Sequence, residues 1–328
     1  MPARPRFVDL TERIIYLRAI PVGAMLPPPV LKIIASYLRE TSFDAGDSLM
    51  REGEPISALR LLTEGGLSLI RNGKPFGKLA PPQSLGLLGI LARADGTYDA
   101  MAEVATRCLE LDSETLLELL EDHFELLQAT LQYLCERLMY EIMELPGETL
   151  GDLLEGKATE LPERDLDLVE RMVYLRSLRV FDKANLNALA ALAERVVQCR
   201  FESGAVIWRS GEPSTCTYFV LRGGARCATD DGQKRWVAGA SSVIGGIEAM
   251  AGMPRWYQLT AETPLTMFKL PIDCFMDILE DDFALAMAFV ALFAAQLVEL
   301  LEHKAATGQS TVGVPRNVTK LGDVPVGA

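Results

Sequence analysis

The chain has 328 residues, 49% of them apolar, with a formal net charge of −13. That length suits about two domains of roughly 100–200 residues each, and the apolar share can fill two cores without disulfides or metals. The acidic balance excludes nucleic acid as a partner, because neutralising phosphates takes a clustered surplus of Lys and Arg, and no such cluster occurs.

The chain starts with MPARPRFVDLTERIIYLRAI, a basic lead-in whose apolar stretch is broken by Asp9, Glu12, Arg13 and Arg18, so no signal peptide is expected. An opening helix is predicted, then short strands punctuated by turn residues: FDAGD at 43–47, GEP at 53–55, Gly65-Gly66, and the hairpin dipeptide Asn72-Gly73, which suits a type I′ turn. A long helix, Ser113–Leu145, follows, with Leu116, Leu120, Phe124, Leu127, Leu131, Leu134 and Leu138 at helical spacing. Gly147, Gly151, Gly156, Pro146 and Pro162 then mark a linker over 146–165.

After the linker the chain repeats itself. DLTERIIYLR at 9–18 returns as DLVERMVYLR at 167–176, an offset of 158. FESGA at 201–205, Gly211–Pro213 and Gly223-Gly224 keep that register. One inserted residue near 230–232 moves the offset to 159, at which LEDHF (120–124) meets LEDDF (279–283). In the second copy Ala184–Val197 is predicted helical, Asp231-Gly232 is read as the hairpin dipeptide, and Asp273–Ala305 as the closing helix. Within it, Phe283–Ala295 is the most apolar run; at 13 residues it falls short of the roughly 20 a membrane span needs, so a buried helix and no membrane span are expected. A helix apolar on all sides is buried on all sides, either between the two copies or in a homodimer.

The expected fold is α+β: two tandem β-roll (jelly-roll-like) domains over 1–145 and 166–305, each flanked by helices and ending in a long one, with a disordered tail at 306–328. The tail carries spaced valines from Val312 to Val326, which leaves two readings, a plain end or a peptide that docks on a protein partner.

Little catalytic chemistry is available. Six cysteines (Cys108, Cys135, Cys199, Cys216, Cys227, Cys274) are scattered without a C-x-x-C pair. With only His123 and His303 beside them, neither a metal site nor a His-based triad is expected, and a reducing cytoplasm fits.

The order helix, aromatic-x-x-Gly, GEP, a strand ending in Gly-Gly, a Gly-containing loop and a terminal helix resembles the cyclic-nucleotide-binding domain. That resemblance implies a phosphate-binding cassette of the form F-G-E-[LIV]-A-L, followed about ten residues later by R-[AST]-A. Helix N-terminal amides and the Arg would hold the phosphate, and the Glu would accept from the ribose hydroxyl.

In the second copy the matching residues are Gly245, Gly246, Ile247 and Glu248, then Arg255 and Trp256. The glycine and the arginine match the pattern. Gly246 stands where the Glu belongs, Glu248 lies two residues later, and Trp256 and Tyr257 replace the small residues. For Arg255 a surface cation and an internal ion pair are both open. The first copy has Gly86 but Leu87 for the Glu and Gly96 for the Arg, with Arg93 displaced and Asp99 adding negative charge. The residues after the second closing helix are too few and too polar for the helix-turn-helix of the family's transcription factors.

The sequence therefore predicts a non-enzymatic regulatory or scaffold protein that binds other proteins and needs no cofactor. The alternative is a sensor holding one cyclic nucleotide, or another small anion, in the second copy.

Overall fold

A computed structural model describes residues 8–147 and 161–306; most of the linker and the tail beyond 306 lie outside them. The chain divides into two compact units, one of residues 1–122 with 298–328 and one of residues 123–297.

The repeated DLxER segment has a structural task in each unit. Asp9 caps α1 (Leu10–Ala19) by accepting from the Glu12 N–H at 2.9 Å. Asp167 caps α7 (Leu168–Ser177) in a full capping box with Glu170, an arrangement that satisfies two otherwise orphan amides. The next residue of the motif is a clamp. Arg13 donates to the carbonyls of Val8 and Leu38, and Arg171 to those of Leu166 and Val196. Leu38 and Val196 are the C-caps of α3 (Pro28–Tyr37) and α8 (Leu186–Arg195), so each arginine satisfies a helix-end carbonyl.

In the first unit, β1 (Arg39–Phe43), β8 (Thr106–Asp112), β3 (Ala58–Glu64) and β6 (Ser84–Leu85) form one antiparallel sheet, in that order. The second sheet is β2 (Ser48–Met50), β7 (Asp99–Ala102), β4 (Leu67–Arg71) and β5 (Lys74–Leu79). Alternation along the strands turns Leu62, Leu67, Leu69, Leu85, Ala100 and Cys108 into the roll's interior. The second unit repeats the plan. Its first sheet is β14 (Val243–Ile244), β11 (Cys216–Arg222), β16 (Leu265–Pro271) and β9 (Val197–Phe201). Its other sheet is β10 (Val206–Trp208), β15 (Gln258–Ala261), β12 (Ala225–Ala228) and β13 (Arg235–Ala238). Trp208, Tyr218, Val220, Cys227, Leu259 and Met267 fill it. The expected pair of β-rolls with flanking helices is what the chain forms.

Two repeated motifs are explained by backbone contacts. Gly65 (φ +87) and Gly223 (φ +83) sit where the chain passes another strand closely: a Cβ on Gly223 would lie 2.3 Å from the Pro264 carbonyl oxygen. Only glycine tolerates both the conformation and the approach. The GEP turn holds the loop that carries position 96 or 255. Gly53 and Glu54 bond the Gly96 backbone at 2.7 and 2.9 Å, and Gly211 and Glu212 bond that of Arg255 at 2.7 and 2.8 Å.

Three predicted elements differ. Each long closing helix is two helices: α5 (Ser113–Asp122) and α6 (Phe124–Glu144), then α10 (Ile272–Asp281) and α11 (Phe283–Ala306). The break falls within the repeated LEDHF and LEDDF, where His123 and Asp282 take extended backbone (φ −133 and −132). Asp282 Oδ1 accepts from the Leu285 N–H at 2.9 Å, capping the new helix. The Asn72-Gly73 hairpin has both residues at positive φ, as a type I′ turn needs, but in the second copy only Gly232 does. There the inserted residue lengthens the loop, which closes through hydrogen bonds between Thr229 and Gly232 and between Thr229 and Lys234. Finally, the apolar window in α11 spans Phe283–Glu302, longer than the 13-residue run and sufficient for a membrane by length and composition alone. Phe289, Val290, Phe293 and Ala294 within it are buried, and 44% of the window is buried in all.

Candidate functional site

In the second unit β14 delivers the chain to Gly245, whose left-handed conformation (φ +76) starts the short helix α9 (Gly246–Met250). The loop after α9 is pinned at Arg255 by the GEP turn, and this sends the arginine side chain back under Gly245. A Cβ on Gly245 would come within 2.3 Å of Arg255 Nη1.

The arginine is buried, at 3% exposure, and its guanidinium makes three hydrogen bonds within the protein. Nη1 donates to the Gly245 carbonyl at 2.7 Å and to Glu248 Oε1 at 3.3 Å. Nη2 donates to the Cys216 carbonyl at 2.6 Å, and the group lies 4.3 Å from the centroid of the Trp208 ring. Arg255 is therefore an internal ion pair, not a surface cation. Glu248 is also buried, beside the buried Tyr257. Burial raises the Glu248 carboxyl above the ordinary carboxylate range, opposed chiefly by Arg255. Burial also lifts the Tyr257 hydroxyl well above its usual range, with the Glu248 charge adding to it. Trp208 Nε1 closes the set by donating to the Tyr257 carbonyl at 3.0 Å.

The structure thus brings Gly245, Ile247, Glu248 and Arg255 together. Gly246 packs so close to Thr217 that a Cβ would meet its hydroxyl at 2.9 Å. Trp256 stacks on Trp236, with ring centroids 5.2 Å apart, and lines the same cavity as the cassette. Both terminal nitrogens of Arg255 donate to protein acceptors.

The first copy is built differently at each equivalent point. Gly86 starts α4 (Leu87–Ala92), and Gly96 sits so close to Arg51 that a Cβ would be 2.4 Å from its carbonyl oxygen. Arg93 is the left-handed C-cap of α4 (φ +53). Asp99 accepts from the Glu52 N–H at 2.8 Å. Among the described residues there is no cluster of three or more His, Cys, Asp or Glu suited to a metal.

Trp208, Cys216 and Tyr257 hold Arg255 and Glu248, and the sequence reading assigned none of them that part. The repeat itself carried the signal. At the two offsets Trp208, Glu248 and Arg255 correspond to Met50, Gly89 and Gly96, so the three members of the charged cluster are absent together from the first copy.

Two tandem β-rolls, each with a glycine-started short helix, define a protein of the tandem β-roll class. Residues 40–123 and 198–282 match the family described as the cyclic nucleotide-binding domain, and the chain belongs to that family. Over 111 residues it is 29% identical to patatin-like phospholipase domain-containing protein 7 of Mus musculus, a match covering 33% of this chain and 8% of that one. The chain is thus similar to only a small part of that relative's length. Among solved structures it is similar to the regulatory subunit of a cAMP-independent protein kinase A from Trypanosoma brucei, at 16% identity, 94% coverage of both chains and a TM-score of 0.32. It is also similar to the regulatory domain of Toxoplasma gondii PKA, crystallised with cAMP, at 18% identity, covering 93% of this chain and 99% of that one, TM-score 0.35. The N-terminal domain of a transcriptional regulator from Streptomyces coelicolor matches at 22% identity over 39% of this chain and 95% of its own, TM-score 0.37.

Proposed function

We propose that this chain is a non-enzymatic regulatory protein whose tandem domains contact protein partners and whose cassettes do not take cyclic nucleotides. Membership of a ligand-binding regulatory family supports the regulatory part. The observation that carries the rest is the internal use of Arg255. A cyclic phosphate would have to displace Glu248 and two backbone carbonyls, each already within hydrogen-bond distance of the guanidinium. Freed from the arginine, Glu248 would be a buried unpaired carboxylate facing the incoming anion, a large penalty. In the first copy Gly96 offers no side chain at all.

Calorimetric titration of the full chain with cyclic AMP and cyclic GMP tests the reading. No heat with either is expected. Saturable heat that disappears in Arg255→Ala would overturn it in favour of a one-site sensor in the second domain. Affinity capture from the native cell, with and without residues beyond 306, then asks whether a protein partner exists and whether the tail recruits it.

A further inference from the structure

We draw no further inference here: the strongest candidate, the stripe of exposed carboxylates that the starts of the two closing helices repeat at the 159 offset (Glu114, Glu118 and Glu121 on α5, Asp273, Asp277 and Glu280 on α10), is a cluster of acidic residues at which nothing in the structure points to a ligand.

Discussion

Replacing Arg255 by Met keeps the length of the side chain and deletes the charge, and the consequences can be worked out from its contacts. Glu248 loses its counter-charge while remaining at 5% side-chain exposure, and the Gly245 and Cys216 carbonyls lose their donors. Breaking a buried pair from one side costs about 3–5 kcal/mol. For a unit the size of residues 123–297, that is a melting temperature lower by roughly 10 °C, at about 2–4 °C per kcal/mol. The loss has a pH signature. Glu248 is already raised by burial, and without the guanidinium it rises further. The folded variant then holds a proton that the unfolded chain releases above about pH 4.3, so its stability falls as pH rises from there through the folded pKa. Wild type and variant lose stability together until the wild-type carboxyl releases its proton. Above that point only the variant goes on losing it, so denaturant unfolding should there show the gap widening with pH. The double variant Glu248→Gln with Arg255→Met should recover part of the loss, and its gap to the wild type should not widen with pH. A single variant that loses less than about 1 kcal/mol, or a gap that narrows toward neutral pH, would refute the claim that the pair is structural.

Three smaller perturbations probe the same frame. Tyr257→Phe removes a buried hydroxyl beside Glu248, and the loss of that polar contact should cost about 1 kcal/mol; urea unfolding measures it. Gly223→Ala and Gly211→Ala make a matched pair, both at φ +83, but only the first brings a Cβ within 2.3 Å of a carbonyl oxygen. The first should exceed the left-handed penalty of about 1–2 kcal/mol and the second should not; equal losses would show that conformation alone matters there. Among the cysteines, Cys199 and Cys274 are partly exposed and the other four are buried. Burial pushes Cys108 up to about 11 and Cys135 and Cys227 higher still. Thiol titration of the native protein near pH 8 should therefore modify Cys199 and Cys274 first, the rest reacting only on unfolding.

The repeat made the architecture legible, because turn residues keep their register between copies: Gly65 with Gly223, the GEP turns with one another, Asn72-Gly73 with the longer loop at Gly232. These positions answer to local backbone demands, which sequence expresses directly. The helix breaks at His123 and Asp282 were hidden, since LEDHF and LEDDF carry an uninterrupted helical spacing of apolar residues. Only the Asp282 cap on Leu285 reveals the restart. The site was half legible. Position 255 could be found by counting from Gly245, but whether its guanidinium faces solvent or the core depends on Trp208, 47 positions earlier, and on Cys216, neither of which belongs to the cassette pattern.

The two copies also act as a natural comparison of what the arginine needs. At the first copy's equivalent points Met50 replaces the Trp208 ring, Gly89 the Glu248 carboxylate and Gly96 the arginine itself. Restoring the arginine alone at 96 would meet the Arg51 carbonyl at 2.4 Å with its first side-chain carbon, and would present a cation with no carboxylate at 89 and no indole at 50. A buried charge without partners is not tolerated, so the three residues form one unit, present entire in one domain and missing entire in the other. An arginine reserved for a ligand would need a free face. This one has a carboxylate, two carbonyls and an aromatic ring around it, and its retention in the second domain is explained by the stability of that closed set.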